Sequence, residues 1–140
     1  MTHTVFVYGT LKNGQGNNHL LDDSAFIGAA VTDTADYGML DGGFPVVLPA
    51  ESGGLAVAGE VWEVDDQTLA RLDRLEGYRG GGNPTNMYDR KVISVKINGQ
   101  RLDNVSIYIG AGRWQERGAF YKADRLTNAA GHLEWNGGRW

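Results

Sequence analysis

The 140-residue sequence contains no cysteine and only three histidines. The lack of cysteine excludes disulfide bonds, thiol nucleophiles and zinc sites built on thiolates. The histidines stand far apart in the chain, without the short spacing of metal-binding motifs; they are His3, His19 and His132. We therefore expect no metal site.

Long apolar runs and an excess of positive charge are missing as well. No run approaches the roughly 18 apolar residues that cross a bilayer, and the first residues lack the basic and apolar regions of a secretory signal peptide. Thirteen lysine and arginine residues against 17 aspartate and glutamate residues give a net charge of −4, which disfavours a nucleic-acid partner. We expect a cytoplasmic protein without membrane or nucleic-acid partners.

Glycine, by contrast, is abundant. The 21 glycines among 140 residues are about twice the usual share of roughly 7 %. Many of them stand in clusters, at Gly42-Gly43, Gly53-Gly54, Gly80-Gly81-Gly82 and Gly137-Gly138. Length and composition together predict a single compact domain over residues 1–140 with many tight turns.

The hydrophobic periodicity predicts many short strands and one clear helix. The strands are expected at residues 4–8, Ala25–Thr32, 44–48, 55–64, Tyr88–Ile97 and 102–109, with an Asn98-Gly99 hairpin between the last two. The helix is expected at Asp66–Leu75, begun by an Asp65-Asp66 cap and ended by Gly77. A second helix is expected around residues 116–126. Three aromatic residues are expected in the core: Phe44, Trp62 and Tyr108. The whole pattern is typical of an α+β domain with a small curved sheet or barrel.

Glu76 falls on the apolar side of this helix. The apolar stripe consists of Leu69, Leu72 and Leu75. At about 100° per residue, Glu76 lies within roughly 40° of the centre of the stripe. Burial and the negative end of the helix dipole would both raise the pKa of this carboxyl group. Glu76 is therefore a candidate general acid or base near neutral pH; the alternative is a carboxylate that reaches solvent or pairs with Arg79 or Arg90.

The turn after the first strand is a second candidate site. Tyr8-Gly9-Thr10-Leu11 could present consecutive backbone N–H groups to an anion, with Gly9 allowing a ligand close to the backbone. The glycines of this turn do not continue into the Lys-Ser/Thr of a phosphate-binding P-loop. The alternative is an ordinary turn at the end of a strand.

Tyr88 and Arg90 share one face of a later strand. The functional interpretation is a phenol that lines a pocket and an arginine that fixes Glu76 or a substrate carboxylate. The alternative is a surface tyrosine and a solvated arginine.

Taken in order, these motifs resemble the gamma-glutamylcyclotransferase-like superfamily, and most of all the branch with gamma-glutamylamine cyclotransferase and the AIG2-like proteins. The motifs are Tyr8-Gly9-Thr10-Leu11-Lys12, Gly59-Glu60-Val61-Trp62, Leu75-Glu76-Gly77 and Tyr88-Asp89-Arg90. The resemblance covers roughly residues 5–109. It leaves the glycine-rich loop 79–86 and the tail 110–140 unmatched.

The resemblance implies a small mixed β-barrel with one or two flanking helices and a ligand cavity. It implies that Tyr8, Gly9, Thr10 and Leu11 bind the carboxylate of a gamma-glutamyl group through their backbone, and that Glu76 is catalytic. The implied reaction is an intramolecular cyclisation that releases 5-oxoproline and a free amine. It requires neither a metal nor a cofactor.

Two other functions stay open on the sequence alone. A small-anion or metabolite-binding module on the same fold, without turnover, would use the loop 79–86 or the tryptophan-rich tail to cover the cavity mouth. A protein–protein interaction domain would use Trp114, Trp135 and Trp140. Because the loop 79–86 directly follows Glu76-Gly77, we expect it to be a mobile lid or specificity element.

Overall fold

Five strands of mixed direction close into a barrel in the computed structural model, which describes residues 2–41, 44–50, 53–111 and 127–135. The strands of the chain are β1 (Thr2–Val7), β2 (Ala25–Thr32), β3 (Tyr37–Asp41), β4 (Pro45–Pro49), β5 (Ala58–Asp65), β6 (Tyr88–Ile97) and β7 (Gln100–Gly110). The barrel order is β1-β5-β2-β6-β7. All pairs are antiparallel except β1 with β7, which run parallel and close the barrel. The predicted small mixed β-barrel is confirmed.

The second half of strand β1 is buried on both of its faces. Phe6 and Tyr8 belong to the apolar cluster that also contains Val61, Val105 and Ile107 of the barrel strands. Val5 and Val7 belong to a second cluster, which contains Leu69 and Leu72 of the helix. The run of apolar residues at 5–8 therefore lies between the barrel interior and the helix that covers it.

The helix α1 (Asp66–Leu75) follows β5 directly and has its predicted bounds. The Asp65 side chain accepts a hydrogen bond of 2.7 Å from the backbone N–H of Thr68, which caps the first turn. Leu69 and Leu72 are buried, but Leu75 is 42 % exposed. The last residue of the apolar stripe, which precedes Glu76 in the chain, is therefore outside the core.

A strand pair outside the barrel was not fully predicted. The expected strand at 44–48 is found as β4, which begins at Pro45 and pairs with β3. The strand β3 was missed. A 3₁₀ helix at Asn18–Leu21 lies between β1 and β2.

Part of the C-terminal tail packs into the barrel. Leu133 bridges to Val57 and is fully buried, and Trp135 is 3 % exposed. Trp135 is therefore not available as an interaction surface. The expected helix at 116–126 and the two other tail tryptophans, Trp114 and Trp140, lie outside the described residues.

The glycine-rich loop 79–86 is organised by the buried side chain of Asn86. Its Oδ1 atom accepts from the Arg79 N–H at 2.8 Å, and its Nδ2 group donates to the Gly80 carbonyl and to Asp89. None of residues 79–86 lines the cavity described below. The expected role of this loop as a lid or specificity element stays a prediction.

In the described ranges, no helix has both the length and the apolar character needed to cross a bilayer.

Candidate functional site

A cavity of about 340 Å³ opens between the end of β1, the end of α1 and the adjoining parts of β4, β6 and β7. This volume is within the usual range for small-molecule sites, roughly 300–1,000 Å³. The cavity brings together residues that the sequence had placed in separate motifs: Tyr8, Gly9, Thr10 and Leu11 from the turn, Glu76 and Gly77 from the helix end, and Tyr88 from β6. It is completed by apolar and polar side chains that include Phe44, Pro45, Leu75, Met87 and Tyr108.

Glu76 is the C-terminal cap of α1 and supplies the acidic side chain among these lining residues. Its backbone N–H still donates to the Leu72 carbonyl at 2.9 Å, so the residue continues the last turn. Its carboxyl group makes no hydrogen bond or ion pair with any other described residue. Burial raises the pKa of the Glu76 carboxyl group to about 7. A group with this pKa exists in both protonation states near neutral pH and can accept and return a proton.

Three tyrosines line the same cavity as this carboxyl group. Burial raises the pKa of Tyr8, Tyr88 and Tyr108, and the negative charge of Glu76 adds to the effect in each case. The phenols therefore stay protonated. The Tyr8 hydroxyl donates to the backbone carbonyl of Tyr108 at 2.6 Å, and the Tyr88 hydroxyl donates to the Pro45 carbonyl at 3.3 Å.

The turn after β1 forms part of the cavity wall. Its shape is fixed by hydrogen bonds from the Lys12 N–H to the Gly9 carbonyl at 3.0 Å and from the Asn17 N–H to the Thr10 carbonyl at 2.8 Å. The N–H groups of Gly9, Thr10 and Leu11 donate to no acceptor among the described residues. Three adjacent donors without a protein acceptor can bind a carboxylate.

Gly9 is required here for a reason that the sequence did not reveal. A Cβ atom at this position would lie 2.6 Å from Cγ and 2.9 Å from Cδ of Pro45. The turn therefore packs directly on the first residue of β4. Gly9 lets the turn and β4 pack closely against each other beside the cavity. This role is separate from letting a ligand approach the backbone.

Arg90 does not contact Glu76. Its Nη1 atom lies 2.7 and 2.6 Å from the two carboxylate oxygens of Asp73, and Arg90 is not among the residues that line the cavity. The expected direct contact of Arg90 with Glu76 is thus replaced by one with Asp73. Its binding of a substrate carboxylate stays a prediction.

Sequence reasoning missed Asp73 and misjudged one aromatic residue, Phe44. The helical periodicity did not single out Asp73, although it lies one turn before Glu76. Tyr108 is buried in the core as expected, and it also lines the cavity and donates to Asp73 Oδ1 at 2.6 Å. Phe44, also expected in the core, is 40 % exposed and lines the cavity.

No group of three or more histidine, aspartate or glutamate side chains that could hold a metal ion occurs in the described part of the chain.

Comparisons with known proteins point to one family. The family model "Gamma-glutamyl cyclotransferase, AIG2-like" matches residues 5–129, which includes the loop 79–86 and the first part of the tail. The chain is 35 % identical over 137 residues to the gamma-L-glutamyl-butirosin B gamma-glutamyl cyclotransferase of Niallia circulans, covering 91 % of this chain and 80 % of that protein. It is 34 % identical over 107 residues to the gamma-glutamylaminecyclotransferase of Rattus norvegicus, covering 69 % of this chain and 65 % of that protein.

A solved structure extends the likeness to the fold. The crystal structure of an AIG2-like protein from Mus musculus matches with a TM-score of 0.65 at 28 % identity, covering 96 % of this chain and 95 % of that one.

Proposed function

The chain belongs to the AIG2-like gamma-glutamyl cyclotransferase family, and on that premise we propose that it converts a gamma-glutamyl amine or peptide into 5-oxoproline and a free amine. The single observation that carries this proposal is the position of Glu76. A carboxyl group whose pKa burial raises to about 7 lies in the wall of the same cavity as three backbone N–H donors.

The turn after β1 binds the α-carboxylate of the gamma-glutamyl group in this proposal. The backbone N–H groups of Gly9, Thr10 and Leu11 supply the hydrogen bonds, and Tyr8 and Tyr88 form the adjoining walls. Backbone donors suit a carboxylate because they are fixed before the ligand arrives. The cavity then holds the substrate in the folded conformation from which a five-membered ring can close.

Glu76 moves the protons of the reaction. In its ionised form it accepts a proton from the α-ammonium group, and the freed amine attacks the γ-carbonyl carbon. The new carbon–nitrogen bond closes the ring, and the bond to the leaving nitrogen breaks. Overall the attacking nitrogen loses two protons and the leaving nitrogen gains two, so a group that accepts and returns protons is what the reaction needs. Because the attack is intramolecular, holding the reactive conformation supplies much of the rate.

The proposal is tested by measuring 5-oxoproline release from a panel of gamma-glutamyl amines and peptides by the wild type and Glu76→Gln. The variant keeps the shape of the side chain and removes its acid–base function, so we expect the rate to fall by roughly 10² to 10⁴. Equal rates would contradict the role of Glu76. Calorimetry with the same substrates covers the other case: binding by the wild type without any product would indicate a binding module instead.

The expected cytoplasmic location and the absence of a nucleic-acid partner stay predictions. Fractionation of cells that express the tagged chain would test the first.

A further inference from the structure

One arginine contacts the chain on both sides of the Glu76-Gly77 bend. Before the bend, Nη1 of Arg90 donates to both carboxylate oxygens of Asp73, at 2.7 and 2.6 Å. After the bend, the guanidinium carbon of Arg90 lies 5.0 Å from the centre of the Tyr78 ring. This distance is within the range of a cation–π contact.

The bend is a single reversal of the backbone at the end of α1. Gly77 has a φ of +65°, a left-handed conformation that glycine adopts without strain. The Tyr78 N–H donates to the Asp73 carbonyl at 2.8 Å, so the two residues that Arg90 contacts are also joined to each other. Glu76 lies between the two residues that this hydrogen bond joins.

Asp73 also attaches the bend to the cavity wall. Its Oδ1 atom accepts from the Tyr108 hydroxyl at 2.6 Å, and the backbone carbonyl of Tyr108 accepts from the Tyr8 hydroxyl at 2.6 Å. Arg90 is on β6 and Tyr108 is on β7. The last turn of α1 is therefore held to two adjacent barrel strands through one carboxylate.

We propose that Arg90 and Asp73 are positioning residues, which hold the bend so that the Glu76 carboxyl group faces the substrate cavity. The inference rests on the proposed function for its effect on rate, while the geometry it describes is independent of the reaction. Misplacement of a reacting group by about 1 Å can cost roughly 100-fold in rate, so a loosened bend would slow catalysis without removing the catalytic group.

A test of positioning has to leave the charge around Glu76 unchanged. The titratable groups that face Glu76 come from three elements: Tyr8 from the turn after β1, Tyr88 from β6 and Tyr108 from β7. Asp73 and Arg90 lie close by as an ion pair with no net charge. Removing either member would leave one charge, which would itself shift the pKa of Glu76.

Arg90→Lys satisfies this condition. Lysine keeps the positive charge, but its compact ammonium group cannot lie flat on the Tyr78 ring while it bonds to Asp73. We expect kcat for 5-oxoproline release to fall by roughly 10- to 100-fold with KM changed by no more than about 3-fold. We also expect the pKa of Glu76, followed by NMR of its labelled carboxyl carbon, to shift downwards as the bend admits water. Arg74→Lys is the matched control, because Arg74 is next to Asp73 but exposed, and it should change neither quantity.

The two measurements separate failure of this inference from failure of the proposed function. If the wild type releases 5-oxoproline and Arg90→Lys keeps both the wild-type kcat and the wild-type Glu76 titration, positioning by Arg90 is wrong. If the wild type releases no 5-oxoproline, the proposed function is wrong, and the Glu76 titration alone decides: a downward shift supports the inference and an unchanged pKa overturns it. Should Arg90→Lys fail to fold, Asp73→Glu is measured by the same two criteria, since it keeps the negative charge while its longer side chain displaces the contacts with Arg90 and Tyr108.

Discussion

At the scale of the residue, Gly9 shows how tightly the cavity wall is packed. The missing side chain leaves just enough room for the ring of Pro45, because a Cβ atom would lie 2.6 Å from its Cγ atom. The Cγ and Cδ atoms of Pro45 belong to a ring that is closed onto its own backbone. Neither this ring nor the turn can therefore move away easily. The turn and β4 are thus fitted to each other.

We predict that Gly9→Ala destabilises the protein by about 1–3 kcal/mol, the usual cost of an overpacked site. It should also raise KM for any gamma-glutamyl substrate, since the displaced turn carries the N–H donors. Urea unfolding and steady-state kinetics measure the two effects. Gly16→Ala is the control in the same loop: it has no atom within 4 Å of the new Cβ and no positive φ, so it should be neutral in both. A neutral Gly9→Ala would contradict the packing described.

Some residues of the site could be predicted from the sequence, and others could not. The inward position of Glu76 could be predicted, because helical periodicity depends on neighbouring residues alone. Arg90 was found, but its partner was not, because the choice between Glu76 and Asp73 depends on how α1 lies across β6. Tyr108 meets Asp73 across 35 residues of sequence, a distance at which no local pattern carries information.

At the scale of the element, the strands with clear hydrophobic patterns were predicted well. The bounds of β2, β6 and α1 agree with the expected ones. The strand β3 was missed because polar residues precede it and Gly38 lies inside it, which weakens its strand propensity. Its partner β4 pairs with it over its whole length, and this pairing rather than local preference holds β3 in place.

The segment 127–135 is the least expected element, since its sequence has little periodicity. The Leu133 N–H donates to the Ala56 carbonyl, and the Ala58 N–H donates to the Leu133 carbonyl, both at 2.8 Å. The Lys12 ammonium group, which is buried, donates to the Trp135 carbonyl at 2.7 Å. The segment is thus bound both to the barrel and to Lys12, the residue that follows the Tyr8–Leu11 turn.

We predict that Leu133→Ala lowers the free energy of unfolding by about 2–5 kcal/mol, as expected for a fully buried leucine. Urea denaturation measures this loss of stability, provided that the m-value is unchanged. Val92→Ala removes apolar atoms from a side chain that is 68 % exposed and should cost less than about 0.5 kcal/mol. A loss of similar size in both variants would mean that the tail segment is not part of the core.

At the scale of the whole molecule, the site contributes to the pH dependence of stability. Burial raises the pKa of the Glu76 carboxyl group from its ordinary value of 4.5 to about 7 in the folded protein. Between these two pH values the folded state binds more protons than the unfolded state. Stability therefore falls as the pH rises through this range, because folding keeps a carboxylate away from water.

We predict that Glu76→Gln is more stable than the wild type at pH 8 and no more stable at pH 4. The shift corresponds to roughly 3 kcal/mol at full burial, and we expect about 2 kcal/mol because the side chain is partly exposed to the cavity. Thermal unfolding across this pH range measures the difference. As a control, Glu63→Gln changes an exposed carboxylate and should show no such trend. If the stability of Glu76→Gln and of the wild type depended on pH in the same way, the Glu76 carboxyl group would be exposed to water.

The closure of the barrel has a consequence for how the protein folds. Strand β1 pairs in parallel with β7, with Val5 opposite Ser106 and Phe6 opposite Ile107, whereas β6 and β7 form a local hairpin. Contacts between distant parts of the chain form more slowly than local ones, because a large loop must be closed first. During synthesis the hairpin cannot form before β7 has been made, and β1 has to wait for the same strand. The Tyr8 turn therefore meets the wall that carries Tyr108 only after about three quarters of the chain has been made, so the cavity can be completed only late in synthesis.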